Sequence, residues 1–303
     1  MYRRMLDLIR IVRPALVLVL PLAVGCLISK AAADAPTYEL RYKFQPGEKI
    51  RTKVVHQAAM ETQIDGSKQT AETVSISVKV WDIQDVDKDG KFKFVHSVER
   101  VDMKNTVTGR EPVHYDSTRD ETPPPEFAKV AQRVGVPLTV VTMNDRGEVL
   151  VREEKAPKGL AAPGQMTIPL PERPVRIGDT WSFPQVIPVK LRSGLTKQIN
   201  TKQRFRLEEV SHGVATIEMD TQVLTPTNND PEIEAALVQR ISEGTIRFDL
   251  DAGRVLSQQV DLDRRVVGFP NASSVMHYRT RFTEKTLAGS ESTAEKPSQD
   301  ATR

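Results

Sequence analysis

The sequence predicts a mainly β protein, β-rich α+β in class, built from two similar antiparallel hairpin–helix–hairpin units that form curved sheets, as a sandwich or an incomplete barrel. Three observations predict it. Beyond residue 35 most of the chain alternates apolar and polar residues with period two, the pattern of half-buried strands. Short clusters of Asp, Asn, Ser and Gly interrupt the alternation where hairpins need turns. The same order of elements is written twice along the chain.

The first unit opens with "TVSISVKVWDI" (73–83), which places Val74, Ile76, Val78 and Val80 on one face. "KFKFVHSVERV" (91–101) places Phe92, Phe94 and Val98 on one face, and "DKDG" between the two is hairpin chemistry. "PPPEFAKVAQRVG" (123–135) reads as a helix, with a proline start, a closing glycine, and Phe127, Val130, Ala131 and Val134 at helical spacing. "LTVVTMNDRGEVLVREE" (138–154) is a second hairpin, turning at Asn144 to Gly147.

The second unit repeats this order. "KQRFRLEEVSHGVATIEMDTQVL" (202–224) is a hairpin turning at Ser211 to Gly213. "DPEIEAALVQRISEG" (230–244) is a helix with Pro231 at its first position, Ile233, Leu237 and Ile241 on one stripe, and Gly244 at its end. "GTIRFDLDAGRVLSQQVDLD" (244–263) is the last hairpin, turning at Asp251 to Gly253. The residues correspond as well as the order: Gln132–Arg133 match Gln239–Arg240, and Gly147 and Val149 match Gly253 and Val255. "QPGEKI" (45–50) and "RIGDTW" (176–181) open the two units alike. Tandem duplication accounts for this better than chance likeness between hairpins, with repeats at 36–155 and 175–286. The connection, "APKGLAAPGQMTIPLPERP" (156–174), carries five prolines that remove backbone donors, so an extended strap across the surface is expected.

The ends are of different character. Arg3, Arg4, Arg10 and Arg13 precede the apolar run "PALVLVLPLAVGCLIS" (14–29) and then small residues. That layout is a secretory signal over residues 1–33, with cleavage after Ala33; an uncleaved membrane anchor is the other reading of the run. The whole chain has 43 basic and 40 acidic residues; the signal takes 5 and 1 of these, leaving 38 against 39, or about −1. No positive surplus remains to bind nucleic acid or anionic lipid. The single cysteine, Cys26, lies in the signal, so the mature chain has no disulfide. "LAVGC" also resembles the lipobox of bacterial lipoproteins, which makes Cys26 a candidate for lipidation, the alternative to a soluble mature chain. The Ser/Thr/Glu-rich end, 287–303, is too poor in apolar residues to order itself.

Candidate chemistry is sparse. "DVDKDGKFKF" (85–94) sets Asp85, Asp87 and Asp89 at calcium-loop spacing before Gly90. However, the twelfth position falls on His96 rather than glutamate, the flanks are strand-like, and the matching turn "EVSHGVA" (209–215) lacks two of the acids. A solvated turn is the expected reading. None of the five histidines sits in a metal motif, and no nucleophile elbow, P-loop or dinucleotide fingerprint occurs. Asp249 with Asp251, and Asp261 with Asp263, are spaced as paired carboxylates but read as the wet side of amphipathic strands. Trp81 and Trp181 are candidates for lining a ligand cavity, or for core packing.

"LPERPVRIGDTWSF" (170–183), "YKFQPGEKIRTK" (42–53) and "GVPLTVVTMNDRGEV" (135–149) carry a resemblance to an uncharacterised family of bacterial exported proteins, a domain of unknown function with many lipoprotein members. The resemblance spans most of residues 38–285 and implies export and a β-rich fold; it supplies no catalytic residues. The architecture is more loosely similar to curved-sheet lipoprotein carriers of the cell envelope. The expectation is an exported, non-enzymatic envelope protein that takes no cofactor and binds an apolar or lipid-like molecule or a partner protein. Membrane contact follows only from an uncleaved signal or lipidation at Cys26. A structural protein with a filled core, or a hydrolase with a dispersed site, are the alternatives.

Overall fold

The computed structural model describes residues 35–156 and 166–288. The signal segment with Cys26, most of the proline-rich connection and the tail from 289 lie outside the described residues.

Each turn cluster read from the sequence closes a hairpin. Strands β1 (Lys49–Ile64), β2 (Ser67–Val86) and β3 (Phe92–Val107) form a meander, to which the short β4 (Val113–Asp116) adds at the end of β3. One 3-10 turn (Pro125–Phe127) and one turn of helix, α1 (Ala128–Ala131), lead to the hairpin β5 (Pro137–Met143) and β6 (Val149–Glu154). The second half runs β7 (Thr180–Lys190), β8 (Thr196–Ser211), β9 (Val214–Val223), α2 (Pro231–Leu237), β10 (Glu243–Asp249), β11 (Arg254–Val267) and β12 (Val275–Thr286). Short polar side chains stitch the turns. The Asp87 carboxylate accepts from the backbone N–H groups of Asp89 and Lys91, at 2.8 and 2.9 Å. Asn144 accepts from Arg146 and Glu148, both at 3.0 Å, and Asp249 from Asp251 and Ala252.

All of this is one antiparallel sheet of 12 strands, eleven of them in the order β6-β5-β3-β2-β1-β12-β11-β10-β9-β8-β7, with β4 paired to β3 off this path. Two sheets, one per unit, were the expectation; the correction comes from β1 and β12. They pair from Thr52 opposite Thr286 to Gln63 opposite Val275, joining the halves into a continuous ladder. Within each half the strands follow sequence order, and a helix falls between the third long strand and the next.

Both helices are shorter than their sequence patterns. α2 is capped by Asp230, whose carboxylate accepts from the backbone N–H groups of Glu232 and Ile233, but it ends at Leu237. It is buried on two sides rather than along one stripe. Ile233 and Leu237 meet Ile187, Val189 and Ile199, while Ala235 and Val238 meet Leu262, Val266 and Met276. Gly244 is not its cap: it lies in β10, where an added Cβ would sit 2.1 Å from the carbonyl oxygen of Gln259.

The main core shows how the sheet curls. Ile83, Phe92, Phe94, Val141 and Met143 from the first half share one cluster with Phe205, Leu207, Ile217, Ile246 and Phe248 from the second. Strands several places apart in the ladder meet only if the sheet folds over its inner face. Tyr42 bridges them, with ring centroids 6.4 Å from Phe92 and 5.6 Å from Phe248. Its segment is held by both hairpin turns: Tyr42 N–H donates to Asp145 O (2.7 Å) and Lys43 N–H to Gly253 O (2.9 Å). The described end of the connection, from Met166, is not on the surface as expected. Ile168 and Leu170 are buried in this core, and Leu170 N–H donates to Arg146 O.

Candidate functional site

Above this core the curled sheet leaves a hollow. A cavity of about 340 Å3 opens between the inner faces of β1, β2, β11 and β12 and those of β8 and β9, with residues 166–168 beside it. Alternation decides which side chains reach it. On β2 these are Lys79 and Trp81, so Val78 and Val80 point to the other face of the sheet, where they are also buried. The apolar wall includes Phe44, Trp81, Met219, Val260 and Phe282.

The two tryptophans part company. Trp81 lines the cavity, stacked on Phe94 at 4.5 Å and edge-on to Phe44 at 6.2 Å. Trp181 is not among the lining residues. It stacks on Phe205 at 5.6 Å, and its indole N–H donates to Pro169 O at 2.9 Å, tying the connection to β7.

Charge enters the cavity wall in pairs. Lys79 on β2 reaches across β1 to Glu284 on β12, Nζ to Oε1 2.7 Å, with side chains 24% and 16% exposed. Gln258 donates to the other oxygen of Glu284, also at 2.7 Å. Arg254 pairs with Glu48 at 2.6 Å and lies over the Phe44 ring. The Tyr42 phenol donates to Ile168 O at 3.1 Å, and its pKa is driven far above the ordinary value, mainly by burial and in small part by Glu284. Tyr42 is therefore a hydrogen-bond donor here, not an acid. Two neutral groups of the wall have little to do: Gln203 donates only to the thioether of Met219, and the Thr52 hydroxyl has no partner among the described residues.

The remaining candidates lie elsewhere. Asp85 faces Lys93 in the β2–β3 ladder, and the Lys91 ammonium lies 3.9 and 3.5 Å from Asp87 and Asp89. No group of three or more His, Cys, Asp or Glu among the described residues is placed to hold a metal ion. Asp249 is occupied with its turn, Asp261 with Arg281 at 2.7 Å, and Asp263 with His277 at 2.6 Å. The ion pairs hold both Asp261 and Asp263 below the usual carboxylate range, as acceptors rather than as a shared-proton pair. His96, opposite Trp81, is the most perturbed histidine. Burial, then Lys79 and Arg152, lower its pKa to about 4, and its buried Nε2 has no hydrogen-bond partner. A second hollow, about 520 Å3, runs along α2 beside Leu224, Leu237 and Val266 and is wider open to solvent. No helix among the described residues is long and apolar enough to cross a membrane.

Sequence reasoning missed the ion pair on the inner face. Lys79 and Glu284 occupy inward positions by the same alternation that carries Trp81 and Phe282, but charge at such a position reads from sequence as an outward residue.

No family model matches the chain, and no curated protein matches it. Among solved structures, one titled "Lipid-protein interactions in lipovitellin" is similar over 84% of this chain and 27% of that one, at 11% identity and a TM-score of 0.43. Another, the Salmonella SPI-1 type III secretion injectisome secretin InvG in the open gate state, is similar over 80% of this chain and 62% of that one, at 9% identity and a TM-score of 0.19. The chain thus aligns with less than two thirds of either, and likenesses at this level establish no shared family.

Proposed function

We propose that this chain is an exported, non-enzymatic binding protein that carries one small apolar or lipid-like molecule inside its curled sheet. The observation that supports it is the cavity of about 340 Å3 between the two halves, walled by Trp81, Phe44, Phe282 and Val260. Small-molecule sites occupy roughly 300–1,000 Å3 and are mostly apolar with a few placed polar groups. A volume at the low end suits a single acyl chain or a molecule of similar bulk, not a two-chain lipid. The basic and apolar layout of residues 1–33 supports export, with Cys26 available for lipidation if the signal is processed as a lipoprotein's. The common element order of the two halves, with matched Gly147 and Gly253, supports an origin by tandem duplication.

Native mass spectrometry of protein purified from its own host tests the binding. One small molecule per chain is expected, and a Thr52→Phe variant, which fills the cavity from β1, should purify without it. Protein that arrives empty from its host, or a bound mass that Thr52→Phe leaves unchanged, would sink the reading.

A further inference from the structure

We propose that the molecule held in this cavity is a neutral amphiphile (an alcohol, ester or amide with an apolar body) and that the cavity rejects the corresponding acid or amine. The inference rests on the binding role proposed above and adds the chemistry of the ligand's head.

The argument is an accounting of the wall's charge. Three ionised side chains line the cavity: Lys79, Arg254 and Glu284. Lys79 and Glu284 neutralise each other at 2.7 Å, and Arg254 is neutralised by Glu48 at 2.6 Å. A carboxylate or ammonium entering this space finds no uncompensated partner. It must either stay unpaired in a half-open cavity whose wall mixes apolar and polar groups or break the Lys79–Glu284 pair, and each leaves one charge partly buried and alone. Gln258 reinforces the pair by donating to the second oxygen of Glu284.

Neutral hydrogen-bonding capacity is, by contrast, left over. Most of the wall's polar side chains are already used internally: Thr286 donates to Val255 O at 2.7 Å, Thr167 to Gly147 O at 2.7 Å, and Ser242 shares a bond with Thr221 at 3.2 Å. The Gln203 amide is engaged only with the Met219 sulfur at 3.3 Å, and the Thr52 hydroxyl is unengaged among the described residues. An amide and a hydroxyl together offer donors and acceptors without net charge, which is what a hydroxyl, ester or amide head requires.

The test is a head-group series on one chain length, read by isothermal titration calorimetry with the full protein below the micelle concentration of each probe. Monolauroylglycerol and dodecanol should bind, and lauric acid and dodecylamine should bind at least about thirtyfold more weakly, because each leaves a partly buried charge unpaired. Glu284→Gln frees Lys79 and should raise laurate affinity about tenfold. Lys79→Met frees Glu284 and should raise dodecylamine affinity similarly. Far-ultraviolet circular dichroism and the urea midpoint of each variant report that it folds. Laurate or dodecylamine binding the unaltered protein as well as monolauroylglycerol would overturn the neutral-head inference while leaving the cavity's binding role intact. If none of the four probes binds, both fall together. The comparison on unaltered protein decides the matter even if a variant fails to fold.

Discussion

Truncating Tyr42 is the sharpest test of the claim that both halves of the sheet share one interior. Its ring is 5% exposed and touches Phe44, Phe92 and Phe248, and its hydroxyl donates to Ile168 O at 3.1 Å. A buried aromatic removes about 150–250 Å2 from water, which at about 25 cal/mol per Å2 corresponds to about 4–6 kcal/mol. Core ring-to-alanine truncations cost about 3–5 kcal/mol. Losing the hydroxyl alone strands a buried carbonyl at a cost of about 1 kcal/mol. Tyr42→Ala should therefore cost about 4–5 kcal/mol, a large share of a typical 5–15 kcal/mol stability, and Tyr42→Phe about 1 kcal/mol. Equilibrium urea unfolding, followed by tryptophan fluorescence and far-ultraviolet circular dichroism, measures both; the midpoint should shift at unchanged slope. A Tyr42→Ala variant within about 1 kcal/mol of the parent, or one that unfolds in two separate steps, would refute the shared interior.

Other outcomes follow from the same structure. Gly253 has φ +61°, and an added Cβ would meet Lys43 Cγ at 2.5 Å and Arg41 O at 2.7 Å, so Gly253→Ala should cost about 3 kcal/mol. Gly178, at φ +91° with nothing nearby, should cost only about 1 kcal/mol in the same melt. His96 titrates near 4 in the fold against 6.5 when unfolded, so the unfolded chain takes up a proton first as pH falls. Its contribution is intact above pH 6.5 and is lost between about 6.5 and 4; the gap is worth at most about 3 kcal/mol, and about 2 after allowance for its partial exposure. A carbon-detected imidazole titration giving His96 a value near 6.5 would contradict its burial. On the edge strand β7, Pro184 and Pro188 lack N–H groups, so replacing both with valine should promote association, seen as rising light scattering on incubation.

Much of this fold is written in local sequence, because hairpins are local objects. "DKDG", "NDRG" and "SHG" set turns whose short side chains or positive-φ residues close them within a few positions: Asn144 bonds to its own loop, and His212 and Gly213 take φ 50° and 76°. What was not legible depended on distant partners. β12 reads as an ordinary amphipathic segment, and nothing in it names β1 as its neighbour. Which face of β2 meets the cavity was not legible for a related reason. Val74, Ile76, Val78 and Val80 make the more apolar register, but Trp81 and Ile83 join the main core and Lys79 lines the cavity. With both faces of the strand partly covered, alternation lost its power to say which side is in. Both helices are shorter than their apolar spacing suggests: α1 spans Ala128–Ala131 and α2 Pro231–Leu237, since proline starts and apolar spacing mark where a helix begins better than where it ends. Of the candidate site, Trp81 was found by residue type; the Lys79–Glu284 pair was not, since its meaning arises only when β12 lies two strands from β2.

The pairing of β1 with β12 places the first and last strands of the sheet at the midline of the ladder, residue 52 against residue 286. During synthesis the seam at the centre is thus the last to zip. Until the final strand emerges, β1 and β11 each present a raw edge, and strand pairings that span most of the chain are slow to form. Such a sheet stays unfinished until β12 is free to pair with β1.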